Sequence, residues 1–212
     1  MLFSVDNISY KTKDFTFKNI SFDLNRSSEI TIIGKSGLGK STLLKILCRF
    51  IKPIHGNIYY NNRSIYNYNE SVYRQKVSYC IQNPTLFGKT VQENLDFPFY
   101  IKNIPIDKNR IYKLLTSLSL DRSIYKRNIK TLSGGERQRI AVIRNILINP
   151  DVLLLDEISD GLDNKIKEDM RQLLNQIKNN GTSIISVTHD KSFISKKSQV
   201  INLIDYVGEK DA

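Results

Sequence analysis

The chain has 212 residues, 40% of them hydrophobic, which suits one compact domain with a sizeable core. No run reaches the roughly 18 uninterrupted apolar residues of a membrane helix, and the two cysteines, Cys48 and Cys80, are too few and too far apart for a disulfide framework or a C-x-x-C site. The net charge of +11 admits nucleic acid or an anionic membrane surface as a neighbour, but the lysines and arginines are scattered, so a solvated basic surface is expected.

In chain order, Asp6 arrives before any apolar run long enough for a leader peptide, and a cytosolic chain is expected. Alternation in Phe15-Thr16-Phe17 and Ile20-Ser21-Phe22-Asp23-Leu24 predicts strand, turn and strand through 1–33, closing on the apolar run Ile30-Thr31-Ile32-Ile33. Leu43, Leu44, Ile46, Leu47 and Phe50 then have helical spacing, with a stop before Pro53. His55 reads as a surface or turn residue. Further strands are expected at 57–60, 77–81, 152–155, 183–187 and 199–203, and helices at 106–119, 135–148 and 164–179. The interval 84–132 lacks strand patterning and is expected to be a mainly helical subdomain inserted in a single domain spanning 1–212. The fold class is therefore α/β: a mostly parallel sheet with helices on its faces, preceded by an antiparallel β portion. No internal repeat or low-complexity tract is present.

Gly34-Lys35-Ser36-Gly37-Leu38-Gly39-Lys40-Ser41-Thr42 fits G-x-x-x-x-G-K-[ST], between an apolar strand and a helix. The glycines let backbone N–H groups approach phosphate oxygens, the helix terminus adds partial positive charge, Lys40 reaches the β- and γ-phosphates, and Ser41 would ligate Mg²⁺. A second candidate anion site is Leu132-Ser133-Gly134-Gly135-Glu136, which opens the helix at 135–148. Ser133 and Glu136 also make a capping box. Capping leaves the paired glycines unexplained, since each costs roughly 1 kcal/mol in a helix relative to alanine.

Leu132 to Glu136 resembles the signature sequence of the ABC ATPases, and with the phosphate loop the resemblance covers nearly the whole chain. It implies a P-loop NTPase core, ATP and Mg²⁺ as ligands, and a head-to-tail dimer in which Ser133, Gly134 and Gly135 of one copy cap the γ-phosphate held by the other. Val152-Leu153-Leu154-Leu155-Asp156-Glu157 reads as a buried strand ending in two carboxylates, with Asp156 supporting Mg²⁺ and Glu157 placed to take a proton from the attacking water. By the same resemblance His189 is the switch histidine, Gln82 senses Mg²⁺ and water, Tyr10 stacks on adenine, and Asp163 keeps its place in the loop after Glu157. That loop departs from the family pattern at Ile158 and at Asp160, where a serine is usual.

The stretch Tyr73 to Cys80, with Pro84-Thr85-Leu86-Phe87-Gly88 and Val91, Asn94, Leu95 and Pro98, is similar to the small bacterial iron-export (Fet-type) ABC ATPases, as is Val142-Ile143-Arg144-Asn145. The expectation is an ATPase subunit at the cytoplasmic face of the cell membrane, driving a separate integral membrane permease, with no nucleic-acid partner. Iron is the cargo this implies. The rival expectation is a soluble ABC ATPase acting on nucleic acid or ribosomes.

Overall fold

The computed structural model describes residues 1–195 and 197–207; positions 196 and 208–212 of the expected single domain lie outside the described residues. β1 (Phe3–Lys11) and β2 (Thr16–Leu24) form an antiparallel hairpin with Phe3 opposite Leu24 and Lys11 opposite Thr16. β3 (Glu29–Ile33) leaves this sheet for a second one and runs through the phosphate loop into α1 (Lys40–Leu47). β4 (His55–Tyr60) returns to pair with β1, and the two-residue β5 (Arg63–Ser64) pairs with β4, giving the antiparallel order β2-β1-β4-β5.

After α2 (Glu70–Lys76) comes β6 (Val77–Cys80), then α3 (Val91–Lys102), α4 (Lys108–Ser117) and two short 3₁₀ turns. Among the described residues none between Ile81 and Ser133 joins either sheet. α5 (Gly134–Ile146), β7 (Val152–Asp156), α6 (Asn164–Asn179), β8 (Ser183–Val187) and β9 (Gln199–Asn202) complete the chain. The second sheet is parallel throughout, in the order β6-β7-β8-β3-β9. Every residue of β7 and β8 is buried, which is why both read as unbroken runs rather than alternations.

Two apolar clusters result. One joins the antiparallel sheet to α1 and β3 through Phe3, Phe17, Ile32, Leu43 and Tyr73. The other packs α3, α4, α5 and α6 around Leu153, Leu155 and Ile184. Cys48 and Cys80 are both buried and free.

Several boundaries differ from expectation. α1 stops at Leu47 instead of continuing to Phe50, because Arg49 turns left-handed (φ 62°). Its amide then donates to Ile46 O and the Phe50 amide to Lys45 O, a Schellman closure with arginine where glycine is usual. β4 starts at His55 rather than at 57, and His55 is a surface residue, as one of its two expected readings had it, on a strand instead of in a turn. Leu203 opens a 3₁₀ turn instead of extending β9. α2 was not expected at all. It is seven residues long, is capped by Asn69 and buries Tyr73 alone, so it shows no apolar periodicity.

Gly56 sits where β4 crosses the irregular register of β1, with φ +92°. A Cβ there would stand 2.5 Å from both the Asp6 and Asn7 carbonyl oxygens. Gly56→Ala is expected to lower stability by about 1–3 kcal/mol, read as an earlier urea midpoint; an unchanged midpoint would contradict the close approach.

Candidate nucleotide site

The parallel sheet delivers the candidate residues to one edge. β3 ends at the phosphate loop, β7 at Asp156 and Glu157, and the chain leaves β8 into His189 and β6 into Gln82. Register keeps these ends level: Ile32 and Asp156 both pair with Val187, while Cys80 pairs with Leu155. Ligands bind at this edge in open α/β sheets.

Ser36, Gly37, Gly39, Lys40, Ser41, Thr42, Gln82 and Glu157 line a cavity of about 280 Å³, together with Phe15. Lys40 is 5% exposed, and its ammonium donates to Gly34 O (2.9 Å) and Lys35 O (3.0 Å), folding the loop round itself. Burial pushes the Lys40 pKa down, and the carboxylates of Glu157 and Asp156 act against that. The side chain of Leu38 approaches Gly34, and that of Lys35 is exposed. Gly39 has φ 89°, and a Cβ there would lie 2.3 Å from the Phe15 ring.

Asp156 is buried, and one of its oxygens accepts from Ser41 Oγ at 3.0 Å. The other accepts from the Tyr79 hydroxyl at 2.6 Å, and burial followed by this hydrogen bond raises the Tyr79 pKa, keeping the phenol protonated as a donor. A hydroxyl and a carboxylate are hard oxygen donors of the kind Mg²⁺ takes, and Mg²⁺ beside phosphates needs only one or two carboxylates from the protein. The residues present therefore fit Mg²⁺. Among the described residues no group of three or more His, Cys, Asp or Glu side chains forms a self-sufficient metal cage.

Glu157 adopts φ 48°, a costly conformation for a non-glycine residue, fixed by its amide donating to Val187 O at 2.9 Å. Gln82 Nε2 donates to one carboxylate oxygen at 2.6 Å, and His189 Nε2 lies 3.1 Å from the other. The glutamate side chain is 14% exposed and that of the histidine 45%. The His189 loop is anchored by Asp190, which accepts from Lys167 Nζ (2.6 Å) and from the Ser192 amide and hydroxyl. Lys167 first, and then Ser192, pull the Asp190 carboxyl down to about 2.

A second cavity, about 370 Å³, adjoins the first through Gln82 and is lined by Asn83, Gly134, Gly135, Arg137, Asp160 and Gly161 among others. Ser133 caps α5 with the expected capping box: Glu136 N donates to Ser133 Oγ at 3.2 Å and Ser133 N to Glu136 Oε2 at 2.7 Å. A Cβ on Gly134 would meet nothing within 4 Å, and one on Gly135 only Leu162 at 3.5 Å. Packing within a single copy therefore does not call for glycine at either position.

Neither Tyr10 nor Asp163 lines either cavity. Tyr10 lies one ring back, 6.4 Å from Phe15 and 6.1 Å from Phe17 between centroids, so Phe15 is the aromatic against the phosphate loop. Asp163 caps α6, accepting from Ile166 N at 2.9 Å. Phe15, Tyr79 and Asp190 were not singled out from sequence. Phe15 had a signal in its turn position beside Tyr10, whereas Tyr79 reads as an ordinary strand residue. A cavity of about 490 Å³ between α6 and the segment 192–195 gathers none of the candidates.

The ABC transporter family model matches residues 17–160. A probable iron export ATP-binding protein of Escherichia coli K12 is 40% identical over 98% of this chain and 93% of its own length. A molybdate/tungstate import ATP-binding protein of Methanocaldococcus jannaschii is 37% identical over 89% of this chain and 63% of its own. Among solved structures, a dimeric ATP-binding cassette in a post-hydrolysis state with ADP and Pi superposes with TM-score 0.84 at 26% identity, covering 95% of this chain and 94% of that one. A P-loop core, a parallel sheet and an antiparallel sheet are shared with a family whose model spans most of the sequence: the chain belongs to the ABC transporter family.

Proposed function

We propose that ATP is held with its triphosphate over residues 34–42 and that its hydrolysis at Glu157 drives a membrane transporter. The chain is an ABC-type ATP-binding subunit with ATPase activity. The residue roles rest on one observation above all. The Glu157 carboxylate, clamped by Gln82 and His189, borders the same small cavity as Lys40 and Ser41.

Lys40 would exchange its two loop carbonyls for β- and γ-phosphate oxygens, while the loop amides and the α1 terminus complete the cradle. Ser41 and Asp156 would hold Mg²⁺, with Gln82 close by, and Tyr79 fixes which Asp156 oxygen is free to turn toward it. Bound there, Mg²⁺ supplies neutralising charge to the phosphoryl oxygens. Glu157 takes the proton of the water that attacks the γ-phosphorus. His189 and Gln82 keep that carboxylate aimed, and Asp190 holds the histidine loop in turn. Adenine would stack on the Phe15 side of the aromatic group, with Tyr10 backing it.

ABC cassettes of this kind work as dimers beside a membrane partner. We read the dimer as head-to-tail, with Ser133, Gly134 and Gly135 facing the partner's triphosphate. Glycines that one copy does not need for its own packing support this reading. The helical segment 84–132 would act as the docking subdomain. Its groove of about 410 Å³, lined by Phe97, Pro98 and Ile101 with Arg74 and Arg144, suits an amphipathic helix of the permease. No described helix is long and apolar enough to cross a membrane, which fits a subunit that sits at the cytoplasmic face. Iron, exported, is the cargo suggested by the Escherichia coli relative's name.

Glu157→Gln is expected to bind ATP, slow hydrolysis by about two orders of magnitude or more, and elute as an ATP-dependent dimer on gel filtration; near-normal turnover would remove Glu157 from the base role. Lys40→Ala is expected to weaken ATP binding by about tenfold or more, and unchanged affinity in calorimetry would contradict the cradle. Phe15→Ala should cost about 1–3 kcal/mol of ATP affinity, more than Tyr10→Ala. The opposite order would return the stacking role to Tyr10.

A further inference from the structure

Asp160 is a charge in the wrong place for a cavity that receives phosphate. It is exposed and shares the wall of the second cavity with Gly134, Gly135 and Gly161. A bare carboxylate there repels a triphosphate, and a cation must meet it for the cavity to close on one. Among the described residues Asp160 makes no ion pair, and Arg137 in the same wall is turned to its own backbone, its Nε donating to Leu132 O at 3.3 Å. A complementary charge stands in the loop that walls the neighbouring cavity. Lys35 is exposed and likewise in no ion pair among the described residues, while its carbonyl helps hold Lys40.

The two cavities adjoin through Gln82: Asp160 lines one, and Lys35 belongs to the loop whose next residues, Ser36 and Gly37, line the other. A two-fold axis passing between two such faces lays each cavity on the other's counterpart, so a contact made once is made twice. We infer that Asp160 of one copy forms an ion pair with Lys35 of the partner subunit, twice per dimer, and that this pair fixes the register in which two copies close over ATP. The inference rests on the head-to-tail reading and adds to it a residue pair particular to this chain. It also gives the acidic residue a purpose. Closing without its cation would bring a carboxylate against the triphosphate, so other registers are penalised.

The test uses full-length protein in the Glu157→Gln background with ATP and Mg²⁺, the dimer being measured by analytical ultracentrifugation. If this parent stays monomeric, the head-to-tail reading fails and the pair with it. If the parent dimerises, Asp160→Asn should weaken the dimer by about tenfold or more. It should also flatten its salt dependence between about 0.1 and about 1 M, where the screening length falls from about 10 to about 3 Å. An unchanged or tighter Asp160→Asn dimer overturns the pair while leaving the dimer reading intact.

Charge reversal separates the pair from a merely structural role. Asp160→Lys alone places two lysines face to face, and Lys35→Asp alone two aspartates. Each is expected to remain monomeric at an ATP concentration shown by equilibrium binding to saturate it. Mixed one to one, every contact again joins opposite charges, and a heterodimer is expected. A mixture that stays monomeric overturns the proposal, including the case in which Asp160 answers Arg137 within its own chain.

Discussion

Level strand ends in the parallel sheet are the constraint on which the site depends. Because β7 and β8 pair in register from Val152–Ser183 to Asp156–Val187, and β3 joins β8 at Ile32–Val187, three connecting segments leave the sheet at one height. The phosphate loop, the carboxylates after β7 and the histidine after β8 converge without any long reach. A register slip of one residue would turn the side chains of β7 over, burying Glu157 or moving Asp156 away from Ser41. The unbroken apolar content of β7 and β8 makes such a slip expensive, since both faces of each strand are packed.

What the sequence disclosed follows from how local each signal was. β8 and α6 were read at their true bounds, the first from its apolar run; the second has a local signal in the Asp163 cap that opens it. Both signals lie within the element itself. The early stop of α1 was not legible, because a left-handed arginine at 49 depends on packing rather than on a glycine in the sequence. α2 was missed for a similar reason: one buried tyrosine in seven residues makes no period.

The site divides along the same line. Motif residues at strand ends could be named because each motif lies in a single segment. The residues that were missed act across segments. Phe15 reaches the loop at Gly39 only when the β1–β2 turn folds over it, and the Tyr79 hydroxyl reaches Asp156 only when β6 lies beside β7. Asp190 was visible as a neighbour of His189, but its hold on Lys167 joins α6 to the loop and is a tertiary fact. The glycines at 134 and 135 are the reverse case. They were legible as an anomaly, and the fold of one chain leaves them without a cause, so the cause is sought in a second copy.

A crystal structure of the Glu157→Gln protein with ATP and Mg²⁺ tests this most directly. The expected result is two nucleotides buried between two copies, each triphosphate contacted by Lys40 of one subunit and by Ser133 and Gly134 of the other. An ATP held by one copy alone, with Ser133 remote from every phosphate in the crystal, would contradict it.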